Sequence, residues 1–74
     1  MSTTLRLVIA LRRDQHARGD RLDRELRAIP GVTVLGAFRG RVQATADEAA
    51  LAEIRRRVGD IAEVEVEERR GLPD

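Results

Sequence analysis

The stretch AFRGRVQATADEAALAEIRRRVGDIAEVEVEE, residues 37–68, decides the fold, because it reads as strand, helix and strand with each boundary marked. Val42 and Ala44 alternate with Arg41, Gln43 and Thr45, the period of two that belongs to a half-buried strand. Thr45 and Glu48 stand at capping-box spacing, so that the hydroxyl accepts an orphan amide of the first turn and the carboxylate reaches back to the cap. Leu51, Ile54 and Val58 then share one helical face, and Gly59 is expected to end the helix in a left-handed conformation. Ala62, Val64 and Val66 alternate with Glu63, Glu65 and Glu67 in a closing strand.

Towards the amino terminus the same two periods recur. Over residues 4–12, Leu5, Leu7, Ile9 and Leu11 point one way and Arg6, Val8, Ala10 and Arg12 the other, which suits a central strand with a partly covered back. Asp14 stands where it can cap a helix running to Ile29 with Leu22, Leu26 and Ile29 as its apolar stripe. Gly19 weakens the start, so regular helix is expected from Asp20, and Pro30-Gly31 stops it. Residues 32–37 form the second strand, with Val32 and Val34 on one face and Thr33, Leu35 and Ala37 on the other. Gly36 and Gly40 flank Phe38-Arg39, where the chain turns or bulges. The order is βαββαβ. Right-handed crossovers then give an α+β, ferredoxin-like fold, a four-stranded antiparallel sheet with two helices on one face.

Length and composition narrow the function. Seventy-four residues make a single domain, residues 1–74, with an ordered core over 4–68 and a polar tail over 69–74. With no cysteine, neither disulfides nor a thiolate metal site are open to it. Acidic and basic residues nearly balance at a net charge of +1 and are interspersed, unlike the basic stripe of a nucleic-acid binder. The apolar run from Leu7 to Leu11 is too short for a signal-peptide core, and no segment is long enough to span a bilayer. A cytoplasmic protein is expected, with neither nucleic acid nor membrane as partner.

Catalytic chemistry finds no constellation. His16, the only histidine, lies at the start of the first helix, where a solvated side chain is the ordinary state. Paired carboxylates occur at strand spacing with no pocket implied, and no glycine-rich phosphate cradle opens a helix. Arg39-Gly40-Arg41 reads as a turn glycine between surface arginines, although such a hairpin can hold a phosphate. An RNA-recognition sheet needs stacking aromatics on its central strands, and Phe38 sits at the hairpin instead. Catalytic residues, cofactors and metals are therefore expected to be none. The informative surface is the bare side of the sheet. With the strands ordered four, one, three, two it presents Glu63, Glu65 and Glu67, then Arg6, Val8, Ala10 and Arg12, then Arg41, Gln43 and Thr45, then Thr33, Leu35 and Ala37. Glutamates beside arginines make cross-strand pairs, and Val8, Ala10, Leu35 and Ala37 form an apolar patch rimmed by charge.

Phe38-x-Gly40, the strand over residues 42–45, Ala50-Leu51 through Ile54-Arg55, and Ile61-Ala62-Glu63-Val64-Glu65 together resemble the subtilisin-propeptide-like peptidase inhibitors. The resemblance covers the second half of the chain. Arg39 stands where that family often has asparagine, and Arg41 where it often has phenylalanine. The resemblance implies that the open sheet face packs on two surface helices of a subtilisin-like serine protease, with Glu65, Glu67 and Glu68 capping them. It also implies an extended tail, Arg69, Arg70, Gly71, Leu72 and onward to Asp74, lying in the substrate cleft, and assistance in folding the protease. The segment LDRELRAIPGVTV, residues 22–34, also resembles small ferredoxin-like regulatory and chaperone domains. Among these are the NapD-type chaperones, which bind a twin-arginine signal peptide, and the ACT-like domains, which pair sheets. Those likenesses imply binding of a peptide, or a homodimer joined through the sheet.

Overall fold

The computed structural model describes residues 4–70, and the side chains of residues 4–67. Strand β1 (Thr4–Leu11) leads through a 3₁₀ segment (Arg13–Arg18) into helix α1 (Gly19–Ala28). Strands β2 (Thr33–Phe38) and β3 (Arg41–Ala46) form a hairpin, and helix α2 (Glu48–Val58) precedes strand β4 (Ala62–Arg70). The four strands form one antiparallel sheet in the order β2-β3-β1-β4, with both helices packed on one side of it. This is the α+β, ferredoxin-like arrangement implied by the alternating periods.

The core lies between that side of the sheet and the helices. Leu5, Leu7 and Ile9 have no exposed surface, and they meet Leu22 and Leu26 of α1 and Ile54 and Val58 of α2, all equally enclosed. Burying an aliphatic side chain of this size is worth about 1.5–3 kcal/mol, whereas an exposed ion pair contributes about 0–1 kcal/mol. Apolar burial therefore sets which side of the sheet the helices cover. The charged pairs then tie the helices to each other. Arg57 Nε donates to Glu53 Oε2 at 2.8 Å, and its Nη1 lies 4.0 Å from Glu25 Oε2 on α1. From α1, Arg21 donates to the Asp60 carboxylate at 3.1 Å and to the Arg57 carbonyl at 3.0 Å.

Several local boundaries differ from the sequence reading. Thr45 does not cap α2: it stays in β3, opposite Arg6 and Thr33, and Asp47 is the cap, its Oδ1 accepting from the Ala50 amide at 2.8 Å. Inward-facing Ala46 needs one more residue of strand, which moves the helix start on by two. Asp14 caps no regular helix, because residues 13–18 form the 3₁₀ segment, with Gln15 outside helical geometry (φ −117°, ψ 20°). That segment buries no residue, so nothing holds it to the sheet as a helix. Regular helix starts at Gly19. Gly59 is right-handed (φ −61°) rather than left-handed, and it is glycine for room: a Cβ there would collide with the Arg55 carbonyl oxygen. The polar tail starts later than residue 69, since β4 stays paired to β1 through Arg70, opposite Thr4.

Two outcomes follow from these contacts. Asp47→Ala removes the one side-chain cap on α2 and is expected to cost about 1 kcal/mol, a fall in Tm of roughly 4–8 °C for a domain of this size. An unchanged melting curve would place the cap elsewhere. Hydrogen bonds from Arg56 and Arg57 lower the Glu53 carboxyl from 4.5 to about 2. A carboxyl depressed in the folded state stabilises above its unfolded value and ceases to as pH falls through its folded one. Wild type should therefore melt above Glu53→Gln at neutral pH, with the gap closing as pH falls from 4.5 towards about 2. A gap independent of pH in calorimetry would contradict this.

Candidate protein-docking face

Directly opposed residues of an antiparallel pair share a face, so the registers write out the uncovered side in rows. Thr33, Thr45 and Arg6 make the first row. Gly36, Gln43, Val8 and Glu65 make the second, and Phe38, Arg41, Ala10 and Glu63 the third. The second and third rows thus run from a neutral or apolar edge at β2 to a carboxylate at β4. Val8 and Ala10 are half-buried at the centre.

Two bulges set this pattern, and both alter what alternation alone implies. In β2, Val34 pairs with Ala44 and Gly36 with Gln43, which leaves Leu35 as the extra residue. One inserted residue moves everything after it to the other face. Ala37, expected in the apolar patch, therefore stands opposite buried Val42, on the helix side of the exposed edge. Phe38, expected only at the hairpin, stands opposite Arg41 on the open face instead, and it is 73 % exposed. Leu35 keeps its exposure at 50 %. The patch is thus Val8, Ala10, Leu35 and Phe38, and side-chain-free Gly36 leaves a depression of about 360 Å³ beside Phe38, Arg41 and Gln43. The signal was present in the sequence: a two-residue Arg39-Gly40 turn fixes Phe38 opposite Arg41, and counting back from there exposes the extra residue at Leu35.

In β4, Arg6 pairs with Glu68 and Leu7 with Val66, so Glu67 is the extra residue. Glu63 and Glu65 remain in the open-face rows, Glu67 lies exposed at the bulge, and Glu68 takes the place opposite Arg6 that alternation assigns to Glu67. Arg69 continues the ladder opposite Leu5, and Arg70 opposite Thr4. The side chains of Glu68, Arg69 and Arg70, and the whole of Gly71 and Leu72, lie outside the described residues.

The electrostatics of the face are lopsided. Glu65 stands opposite Val8 and Glu63 opposite Ala10, so of the expected glutamate–arginine neighbours the register keeps only Glu68 opposite Arg6, where the Glu68 side chain lies outside the described residues. Among the described residues Glu65 and Glu67 enter no ion pair, and Glu63 has only Arg12, 3.6 Å away with both side chains exposed. A contact of that kind is worth well under 1 kcal/mol. At the opposite edge the Arg39 guanidinium lies over the Phe38 ring, 5.1 Å from its centroid. Such stacking partly shields the ring and keeps a cation at the corner of the face.

Reactive groups are not gathered anywhere on this surface. Among the described residues no three metal-ligating side chains cluster, and no polar or charged residue is buried. His16 is exposed, with its ring against Gly40. No described helix is long and apolar enough to cross a membrane. In comparisons with protein-family models, curated proteins and solved structures, nothing matches the chain.

Proposed function

We propose that the chain is a cytoplasmic, non-catalytic protein-binding module that docks through its open sheet face. The specific form we favour is that of a propeptide-type inhibitor of a subtilisin-like serine protease, able also to assist folding of its target. The observation that carries this reading is the pairing of apolar residues, half-buried Val8 and Ala10 at the centre and exposed Leu35 and Phe38 at the β2 edge, with Glu65 and Glu67 on β4, which enter no ion pair among the described residues. A partner surface that covers the apolar residues brings its own groups to Glu65 and Glu67. Helix amino termini suit them, since carboxylates accept from unpaired first-turn amides and complement the positive end of the helix dipole. Residues beyond Arg70 would then supply the extended segment for the substrate cleft.

A steady-state assay against a subtilisin-type protease, with the full chain and with a chain ending at Arg70, tests this. Ending at Arg70 keeps the whole β4 ladder and removes only the tail. Inhibition by the full chain that weakens on truncation, and that Leu35→Glu and Glu65→Lys each reduce, is the expected result. Loss of about 1–3 kcal/mol per contact residue corresponds to roughly a 5- to 150-fold rise in the inhibition constant. No inhibition by either chain would remove the protease from consideration.

A second reading has its own support. Strand β2 carries no charged residue in six positions and lies at the sheet's outer edge with Leu35 and Phe38 exposed, whereas β4 at the other edge carries six charged residues in nine. Uncharged edges invite strand addition. A regulatory or chaperone domain of the NapD or ACT-like kind would use that edge for a peptide or for a second copy of itself. Light scattering at high protein concentration would read a dimer mass in the second case. Fluorescence titration with a twin-arginine signal peptide should saturate in the first, and a monomer with a flat titration would sink both.

A further inference from the structure

At the end of the sheet where β1 gives way to the 3₁₀ segment, the chain gathers positive charge in one place. A cleft of about 600 Å³ is lined there by Arg12 and Arg13, by His16, and by Arg39 and Arg41 of the β2–β3 hairpin. Among the described residues its carboxylates are Asp14 and Glu63, so the four guanidiniums outnumber them by two to one. Arg12 is engaged, donating to the Gly59 carbonyl at 3.1 Å and facing Glu63 at 3.6 Å. Arg13, Arg39 and Arg41 have no carboxylate within ion-pairing distance among the described residues. Four arginines of the helices, Arg21, Arg27, Arg56 and Arg57, each hold an aspartate or glutamate. Among the described residues Arg6, Arg18, Arg24 and Arg55 also have no carboxylate within ion-pairing distance, but they do not line this cleft.

The hairpin supplies a second, independent observation. Arg39 has φ 50° and Gly40 φ 78°, which makes a two-residue turn with both central residues left-handed. Such a turn prefers asparagine before glycine. Other side chains are disfavoured in that region of backbone space, so the turn itself gains nothing from an arginine. The Arg39 guanidinium is held over the Phe38 ring on a residue that lines the cleft, so the hairpin brings a cation beside it. The walls are held by backbone bonds rather than by side chains: Leu11 N–H donates to the Gly40 carbonyl at 2.8 Å, and Arg12 N–H to the Ile61 carbonyl at 2.8 Å. The cationic side chains therefore project from fixed positions on two elements.

We propose that this cleft binds a compact anion carrying two or more phosphate charges. Guanidinium forks match phosphate oxygens two at a time and keep their charge at any physiological pH, and several unmatched forks around one cavity favour a multivalent anion over a single carboxylate. The volume is that of a small-ligand pocket. The one aromatic ring in its lining, the His16 imidazole, lies against Gly40, and guanidiniums dominate the rest, so phosphate rather than a nucleobase is the group recognised. The site goes beyond the docking role, with which it shares only the Arg41–Ala10–Glu63 end of the face, and its test needs no protein partner.

The experiment is an NMR titration of the isotope-labelled full chain with inorganic pyrophosphate, at low and at physiological ionic strength, with sulfate and inorganic phosphate alongside. Saturable shifts confined to residues 11–16 and 39–41, with tighter binding of pyrophosphate than of either single anion, are expected. Arg39→Asn installs the residue the turn prefers, so its melting temperature should hold or rise, while pyrophosphate affinity falls about 3- to 10-fold. Arg24→Gln, outside the cleft, should leave affinity unchanged. Shifts that never saturate, that spread over every arginine-bearing surface, or that survive Arg39→Asn at full strength would overturn the assignment. So would equal competition by a glutamate peptide of matched charge.

Discussion

Everything in this structure depends on the enclosure of one side of β1. Leu5, Leu7 and Ile9 lie at zero exposure beneath two helices, on a strand that pairs with β3 along one edge and β4 along the other. The described residues form two helices, which make one layer. An amphipathic helix must bury its apolar stripe against something, and the leucine side of the sheet is the only surface that accepts Leu22, Leu26, Ile54 and Val58 together. With both helices on that side, no described element covers the side carrying Arg6, Val8 and Ala10. The uncovered face is thus a consequence of alternation along the strands and of both helices sharing one side.

The face acquires its character from two inserted residues. Without the bulge at Leu35, Ala37 would stand in the patch and Phe38 beneath the sheet. With it, the one aromatic side chain in the protein reaches the open side. The bulge at Glu67 puts Glu68 opposite Arg6 and leaves Glu67 exposed outside the rows. The outcome is a sheet with a charged edge at β4 and an uncharged one at β2. Charged edge strands resist accidental pairing with other chains. The asymmetry thus separates an edge guarded against association from one that is not, on a surface too small to hold many separate functions.

Much of this was legible in the sequence, and the failures have specific causes. The βαββαβ order, the helix stripes and the leucine face of β1 follow from periodicity, because burial leaves a repeating trace. The cap of α2 was misplaced by two residues because Thr45 and Asp47 both qualify chemically, and only the demand of β3 for an inward Ala46 decides between them. Asp14 failed as a cap because the residues after it bury nothing. Gly59 was read for conformational freedom, when what mattered was clearance from the Arg55 carbonyl. Phe38 could have been placed from the Arg39-Gly40 turn, had register been counted from the turn instead of from the valines.

By itself the sequence determined the elements, their order, and the division of each strand into a side for the helices and a side for water. These depend on residues near one another in the chain, and a period of two or of 3.6 records them locally. Only the tertiary structure decided which strands lie side by side, where an extra residue shifts a strand's faces, and that Arg12 and Arg13 meet Arg39 and Arg41 across a cleft. Register and juxtaposition are set by pairing between segments far apart along the chain, and no local pattern records the distance between two such segments.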